Sequence, residues 1–152
     1  MRLSTKSRYA VTSLLDLVLH ADQGPVSLAD ISLRQGISLS YLEQLFAKMR
    51  RNRLVVSTRG PGGGYSLGTT PDQVCIADVI SAVDEEMRVT NKDVREGSGY
   101  YEPCLTEQLW EELSEQIQSY LTTISLADMV AQEEVKALSR HHDLRQPLSE
   151  LL

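Results

Sequence analysis

Residues 28–67 carry, in order, two short amphipathic stretches separated by a glycine, then two short apolar runs separated by a glycine-rich loop. Leu42, Leu45, Phe46 and Met49 recur at i, i+3, i+4 and i+7, which makes one apolar helix face. Ser40, Glu43, Gln44, Ala47, Lys48 and Arg51 fall elsewhere on the same helix and keep it polar or small. Ser38 is one candidate cap; the other is Ser40, with Glu43 as its capping-box partner. Ahead of it, Ser27 and Asp30 suit the start of a shorter helix whose apolar contacts come from Ala29, Ile31 and Ile37. Gly36 ends that helix in a turn that permits positive φ. Helix, glycine turn, then helix with a polar outer face spells a helix-turn-helix. Apolar runs at 54–57 and 65–67 flank Thr58-Arg59-Gly60-Pro61-Gly62-Gly63-Gly64, and this spacing predicts a hairpin, a wing directly after the second helix.

The flanking segments complete a mainly α fold with a small β wing. Ala10, Leu14, Leu17 and Ala21, widened by Val11, Leu15 and Val18, predict a helix over 4–21, ended by Gln23-Gly24-Pro25. His20 falls at its C-terminal end, where a cation suits the helix dipole. Ile76, Val79, Ile80 and Val83 share one face of another short helix, and the polar stretch 84–103 reads as a loop. Trp110, Leu113, Ile117, Tyr120 and Ile124 are spaced as a two-heptad a/d seam on a long helix over 105–122. One more helix is expected over 125–138, capped by Ser125 with Asp128, and a loose tail from Arg140 onward. The expected organisation is a winged helix-turn-helix over 1–84, with the helix-turn-helix at 28–51 and the wing at 54–67. A sensor-like loop over 85–104, dimerisation helices over 105–138 and a flexible tail over 139–152 follow.

A formal net charge of −6 argues against a polyanion partner until its distribution is read. Residues 1–70 hold nine Lys or Arg against four Asp or Glu, a net +5; residues 71–152 hold six against seventeen, a net −11. Polyanion binding is therefore expected of the first half alone. No apolar run approaches the roughly 20 residues of a membrane span, and the first residues lack a secretory h-region, so a cytoplasmic protein is expected. Cys75 and Cys104 have no CxxC spacing; Cys75, in Val74-Cys75-Ile76, reads as a small core residue. His141 and His142 fall in the expected tail and make a weak metal site at best. No Ser/His/Asp, Cys/His or paired-carboxylate spacing suggests an enzyme. The run Gly60-Pro61-Gly62-Gly63-Gly64 precedes Tyr65-Ser66-Leu67 rather than Gly-Lys-Ser/Thr and a helix, so it is not a phosphate-cradling P-loop.

The side chains on these two elements suit a DNA duplex. Ser40 and Gln44 lie one turn apart; glutamine can pair twice with adenine, and serine takes either partner. Glu43 can accept from a cytosine amino group and repels misplaced phosphates. Tyr41 and the basic run from Lys48 through Arg50, Arg51 and Arg53 suit phosphate contacts. Arg59, held at a hairpin tip beside Gly60 and Pro61, can enter a narrow minor groove. The competing reading is a protein-interaction adaptor that keeps the fold without binding DNA.

The runs Arg8-Tyr9-Ala10-Val11-Thr12, Leu28-Ala29-Asp30-Ile31-Ser32, Gln35 through Phe46, and Arg59 through Tyr65 resemble the Rrf-two family of winged-helix regulators. Within it they are most similar to the iron–sulfur cluster regulators, and Ile80 through Glu85 and Cys104-Leu105-Thr106 extend the likeness. The resemblance implies a homodimer joined by the long helix and a two-fold symmetric double-stranded DNA operator. It places Ser38, Ser40, Tyr41, Glu43 and Gln44 at the major groove and Arg59, Gly60 and Pro61 at the minor groove. Cluster-binding members carry three cysteines in the loop before the long helix, and the iron–sulfur cluster regulators add a histidine after the third. Here Lys92 and Ser98 stand at the first two cysteine positions, Cys104 is retained, and Glu107 stands at the histidine position. A [2Fe–2S] cluster normally takes four thiolate or imidazole ligands. No conventional cluster or other metal is therefore expected, with Cys104 and Glu107 as the weak candidates. The alternatives are a cluster completed by non-standard ligands such as Asp93 or Glu96, or a redox sensor built on Cys104 alone.

Overall fold

A computed structural model of the chain describes residues 4–84 and 105–144. Helix α1 spans Thr5–Leu19 and buries Ala10, Leu14 and Leu17 completely. Ser4 caps it, its Oγ accepting from the Ser7 N–H at 3.2 Å. The same Oγ donates to the Asp84 carboxylate, which ties the start of α1 to the end of α4 (Ile76–Val83). The helix stops two residues earlier than its apolar spacing suggests. His20 is its C-cap, a 3₁₀ turn covers 21–23, and Ala21 is exposed rather than part of the stripe.

Helix α2 covers Leu28–Gln35 and α3 Leu39–Arg51. Ser27 caps α2 by accepting from the Asp30 N–H. Gly36 takes φ 67° and ψ 31°, a left-handed turn that a Cβ would oppose. Between the two candidate caps of α3 the structure selects Ser38, whose Oγ accepts from the Tyr41 N–H at 3.2 Å. Ile37 before the cap and Leu42 within the helix are both buried, the positions of a hydrophobic staple. Leu42, Leu45, Phe46 and Met49 are all buried, as their spacing predicts. Each such side chain contributes about 1.5–3 kcal/mol on leaving water.

Strands β1 (Val55–Thr58) and β2 (Gly64–Leu67) pair antiparallel, from Val55 opposite Leu67 to Thr58 opposite Gly64. β1 lies one residue later than its apolar run suggests, and β2 begins one residue earlier while ending at Leu67 as expected. A bridge between Val26 and Tyr65, with N–H···O distances of 2.9 and 2.8 Å, sews β2 to the segment entering α2. Phe46 of α3 meets the Tyr65 ring at 4.9 Å between centroids, so the wing root is packed on the second helix of the motif.

Helix α5 covers Glu107–Thr122, α6 Leu126–Val130 and α7 Glu133–Asp143. The single helix expected over 125–138 is thus two, separated at Ala131 and Gln132. Ser125 caps α6 in a reciprocal capping box with Asp128, as expected. The stretch from Arg140, expected to be loose, is helical to Asp143, whose carboxylate meets His20 Nε2 at 2.5 Å. Residues 145–152 lie outside the described region. Leu126 is fully buried in the core formed by α1, α3 and α4. It is anchored there by the Cys75–Ser125 bridge, in which Ile76 donates to Ile124 and Leu126 to Val74.

Candidate nucleic-acid interface

The polar side of α3 is open. Ser38, Ser40, Glu43, Gln44, Arg50 and Arg51 are exposed, and Tyr41 and Lys48 are half-buried. One helical turn separates Ser40 from Gln44, and the Ser38 and Ser40 hydroxyls lie 3.4 Å apart at the helix start. The Tyr41 ring is met edge-on by Tyr9 of α1, with centroids 5.7 Å apart. That contact was not legible in the sequence, because the two tyrosines lie on separate helices.

Basic residues collect where α3 ends. The Arg53 N–H donates to the Arg50 carbonyl and the Leu54 N–H to the Met49 carbonyl, each at 3.0 Å. This is a Schellman closure, and its left-handed position holds Arg53 at φ 62° rather than the usual glycine. Among the described residues Arg53 alone, apart from glycines, has positive φ. The chain turns there directly into β1.

The wing tip carries Arg59, Gly60 and Pro61, all exposed. It is folded back on itself by the Gly63 N–H, which donates to the Gly60 carbonyl at 2.9 Å. A Cβ on Gly63 would stand 2.3 Å from the Thr58 carbonyl oxygen, so only glycine permits this tight tip. Arg59 has no hydrogen bond or ion pair among the described residues.

A buried ionic cluster fixes α2 against α1 behind this surface. Asp16, 2% exposed, accepts from Arg34 Nη2 at 2.7 Å, Arg34 Nε at 3.0 Å and Gln35 Nε2 at 2.8 Å. Burial works against the Arg34 charge, but the hydrogen bonds and field of Asp16 outweigh it and hold the guanidinium pKa above its ordinary value. His20 Nδ1 approaches the Asp16 carbonyl at 2.7 Å, so the C-terminal end of α1 joins the cluster. Arg34 is therefore a structural cation, whereas the basic run of α3 and Arg59 face outward.

A profile of the Rrf2 family, described as iron-dependent transcriptional regulators, matches residues 3–132. The chain belongs to the Rrf2 family. A protein of Azotobacter vinelandii named as the HTH-type transcriptional regulator ORF2 is 60% identical over 146 residues, covering 96% of this chain and 89% of its own. The HTH-type transcriptional regulator IscR of Xenorhabdus nematophila is 54% identical over 143 residues, covering 94% and 87%. Among solved structures, T. potens IscR superposes with a TM-score of 0.71 at 38% identity, covering 88% of this chain and 90% of that one. CymR, the global cysteine regulator of B. subtilis, superposes with a TM-score of 0.71 at 29% identity, covering 86% and 97%. This Rrf2 protein is a DNA-binding helix-turn-helix transcription regulator of the IscR type. No helix among its described residues is long and apolar enough to cross a membrane.

The seam residues of this Rrf2 chain divide into two groups. Trp110, Leu113 and Tyr120 are 45%, 36% and 66% exposed, and Ile117 is half-buried, all on α5. Ile124 does not continue that stripe, because α5 ends at Thr122 and Ile124 packs on the chain's own core. Leu109, 56% exposed, adds apolar surface to the same helix.

Iron in the family description calls for a test of this chain's donors. Cys75 is half-buried at the N-cap of α4, with its N–H donating to the Asp78 carboxylate; it is a capping residue rather than the core residue expected. Burial raises the Cys75 thiol pKa. His20 is engaged by Asp16 and Asp143, while His141 and His142 sit on α7. No group of three His, Cys, Asp or Glu that could hold a metal occurs among the described residues. Glu107 is the first residue of α5, and Cys104, Lys92, Asp93, Glu96 and Ser98 lie outside the described region. The chain's only thiols are Cys75 and Cys104, a donor set that does not fit a four-ligand [2Fe–2S] cluster.

Proposed function

We propose that this regulator acts as a homodimer and reads a two-fold symmetric operator. Ser38, Ser40, Glu43 and Gln44 of each subunit enter a major groove. Arg59, Gly60 and Pro61 reach the adjacent minor groove. Tyr41, Lys48, Arg50 and Arg51 hold phosphates and so fix the register. The observation that carries this reading is the conjunction of an open polar side on α3 with a glycine-closed wing whose root packs on that helix through Phe46 and Tyr65. The acidic second half faces away from the duplex. The exposed apolar stripe of α5 supports the dimer: large side chains such as Trp110 and Tyr120 gain by leaving water against a second copy.

The regulator works without a conventional cluster, because its two thiols are too few for one. Anaerobically purified protein is expected to be colourless and to hold no stoichiometric iron and sulfide. A brown, iron-loaded sample that still shifts DNA overturns the cluster-free reading while leaving the operator contacts intact.

Gel-shift titration tests the contacts. Arg59→Ala is expected to weaken specific binding by about 1–3 kcal/mol. Affinity is expected to fall steeply with salt, since several phosphates per subunit are neutralised. Unchanged affinity in the variant removes the wing from the interface, and a flat salt profile removes DNA altogether in favour of an adaptor.

A further inference from the structure

Leu39 is an apolar side chain in a polar place. It is the first residue of α3, lies between the exposed hydroxyls of Ser38 and Ser40, and is itself 43% exposed. Its neighbours account for the local packing. Ile37 is 4% exposed and Leu42 0%, so the staple that fixes the chain's entry into α3 is already complete. Ser38 supplies the cap. Leu39 belongs neither to the buried core nor to the partly buried shell packed on it.

The helix N-terminus is also the part of a recognition helix that meets base edges. On a helix, Leu39 and Glu43 are one turn apart, so the leucine stands beside a carboxylate able to accept from a cytosine amino group. A base edge in the major groove offers only one apolar group, the thymine C5-methyl. The other groups that tell the bases apart there are hydrogen-bond donors and acceptors, which an exposed leucine would desolvate without pairing.

We propose that Leu39 is a specificity-determining residue that packs on the C5-methyl of one thymine in each half-site. This rests on the reading that α3 enters the major groove, and deepens it to the level of one functional group. The leucine selects thymine over cytosine by burying that methyl, and Glu43 beside it ranks the alternatives through polar contact.

The test uses the full-length protein and duplexes enriched by it from a randomised library. In the enriched sequence each thymine is replaced in turn by uracil, which removes the methyl and nothing else. Wild-type protein is expected to lose roughly four-fold in affinity per half-site at one thymine position, the size of one buried methyl. Leu39→Ala is expected to bind the thymine and uracil duplexes equally, and Leu39→Met, which keeps an apolar side chain, to retain the preference. Circular dichroism and salt-dependent binding to the enriched duplex show that both variants are folded. If no uracil substitution weakens the wild type, or if Leu39→Ala shows the same loss, the assignment of Leu39 is wrong while the groove reading stands. If the library yields no enriched sequence, the groove reading falls and takes this inference with it.

Discussion

Arg53 occupies a backbone position that most sequences give to glycine. A left-handed conformation costs a non-glycine residue about 1–2 kcal/mol, and the Schellman closure after α3 enforces it here. Replacement by glycine removes that strain and also loosens the unfolded chain, so the two effects partly oppose each other. Arg53→Gly is expected to raise stability by about 1 kcal/mol, seen as a higher urea midpoint at unchanged slope. The same variant is expected to flatten the dependence of log affinity on log salt by about one charge. Stability and affinity moving in opposite directions would mark a charge retained for binding at a strained site. A variant that is less stable than the wild type would show that the added freedom of the unfolded chain outweighs the strain relieved.

At the level of helices, the orientation of the DNA-reading motif depends on one carboxylate. Asp16 of α1 receives N–H groups from Arg34 and Gln35 at the end of α2, immediately before the Gly36 turn. The Asp16 side chain is fully buried and that of Arg34 only 15% exposed, so solvent cannot replace the missing partner. Asp16→Ala is expected to cost about 3–5 kcal/mol, measured by urea denaturation. The joint replacement of Asp16 and Arg34 by Leu and Met should recover much of that loss, because the desolvation cost of both charges disappears. A small loss in the single variant would mean that α2 is held by Ile31 and its apolar neighbours alone. Little of this was legible beforehand: the capping serines and Gly36 are local signals, but Asp16 and Arg34 lie on different helices and share no sequence pattern.

For the molecule as a whole, α5 leans on the core only near its end, through Leu121, and has no buried residue of its own. A 16-residue helix gains little from intrinsic propensity, and its apolar stripe of Leu109, Trp110, Leu113 and Tyr120 needs a partner surface. The protein is expected to sediment as a dimer at micromolar concentration, and Leu113→Glu to shift it to monomer and to weaken operator binding. A dimer that survives this substitution would move the interface elsewhere. The period of the seam was readable, but its end was not. Ile124 fits the spacing of 3 and 4, yet the Ile76–Ile124 hydrogen bond turns the chain toward α4 and assigns that side chain to the interior.

Helix periodicity, the capping serines, the glycine turn and the glycine-rich hairpin are short-range properties, set by residues within a few positions of one another, and they sufficed for the winged helix-turn-helix and for the outward face of α3. The break between α6 and α7, the helical run to Asp143, the early end of α1 and the Asp16 cluster came only with the folded chain. Each depends on contacts between distant residues, such as Leu126 in the N-terminal core and Asp143 against His20. No local preference encodes such a contact, since its free energy exists only once the helices have packed.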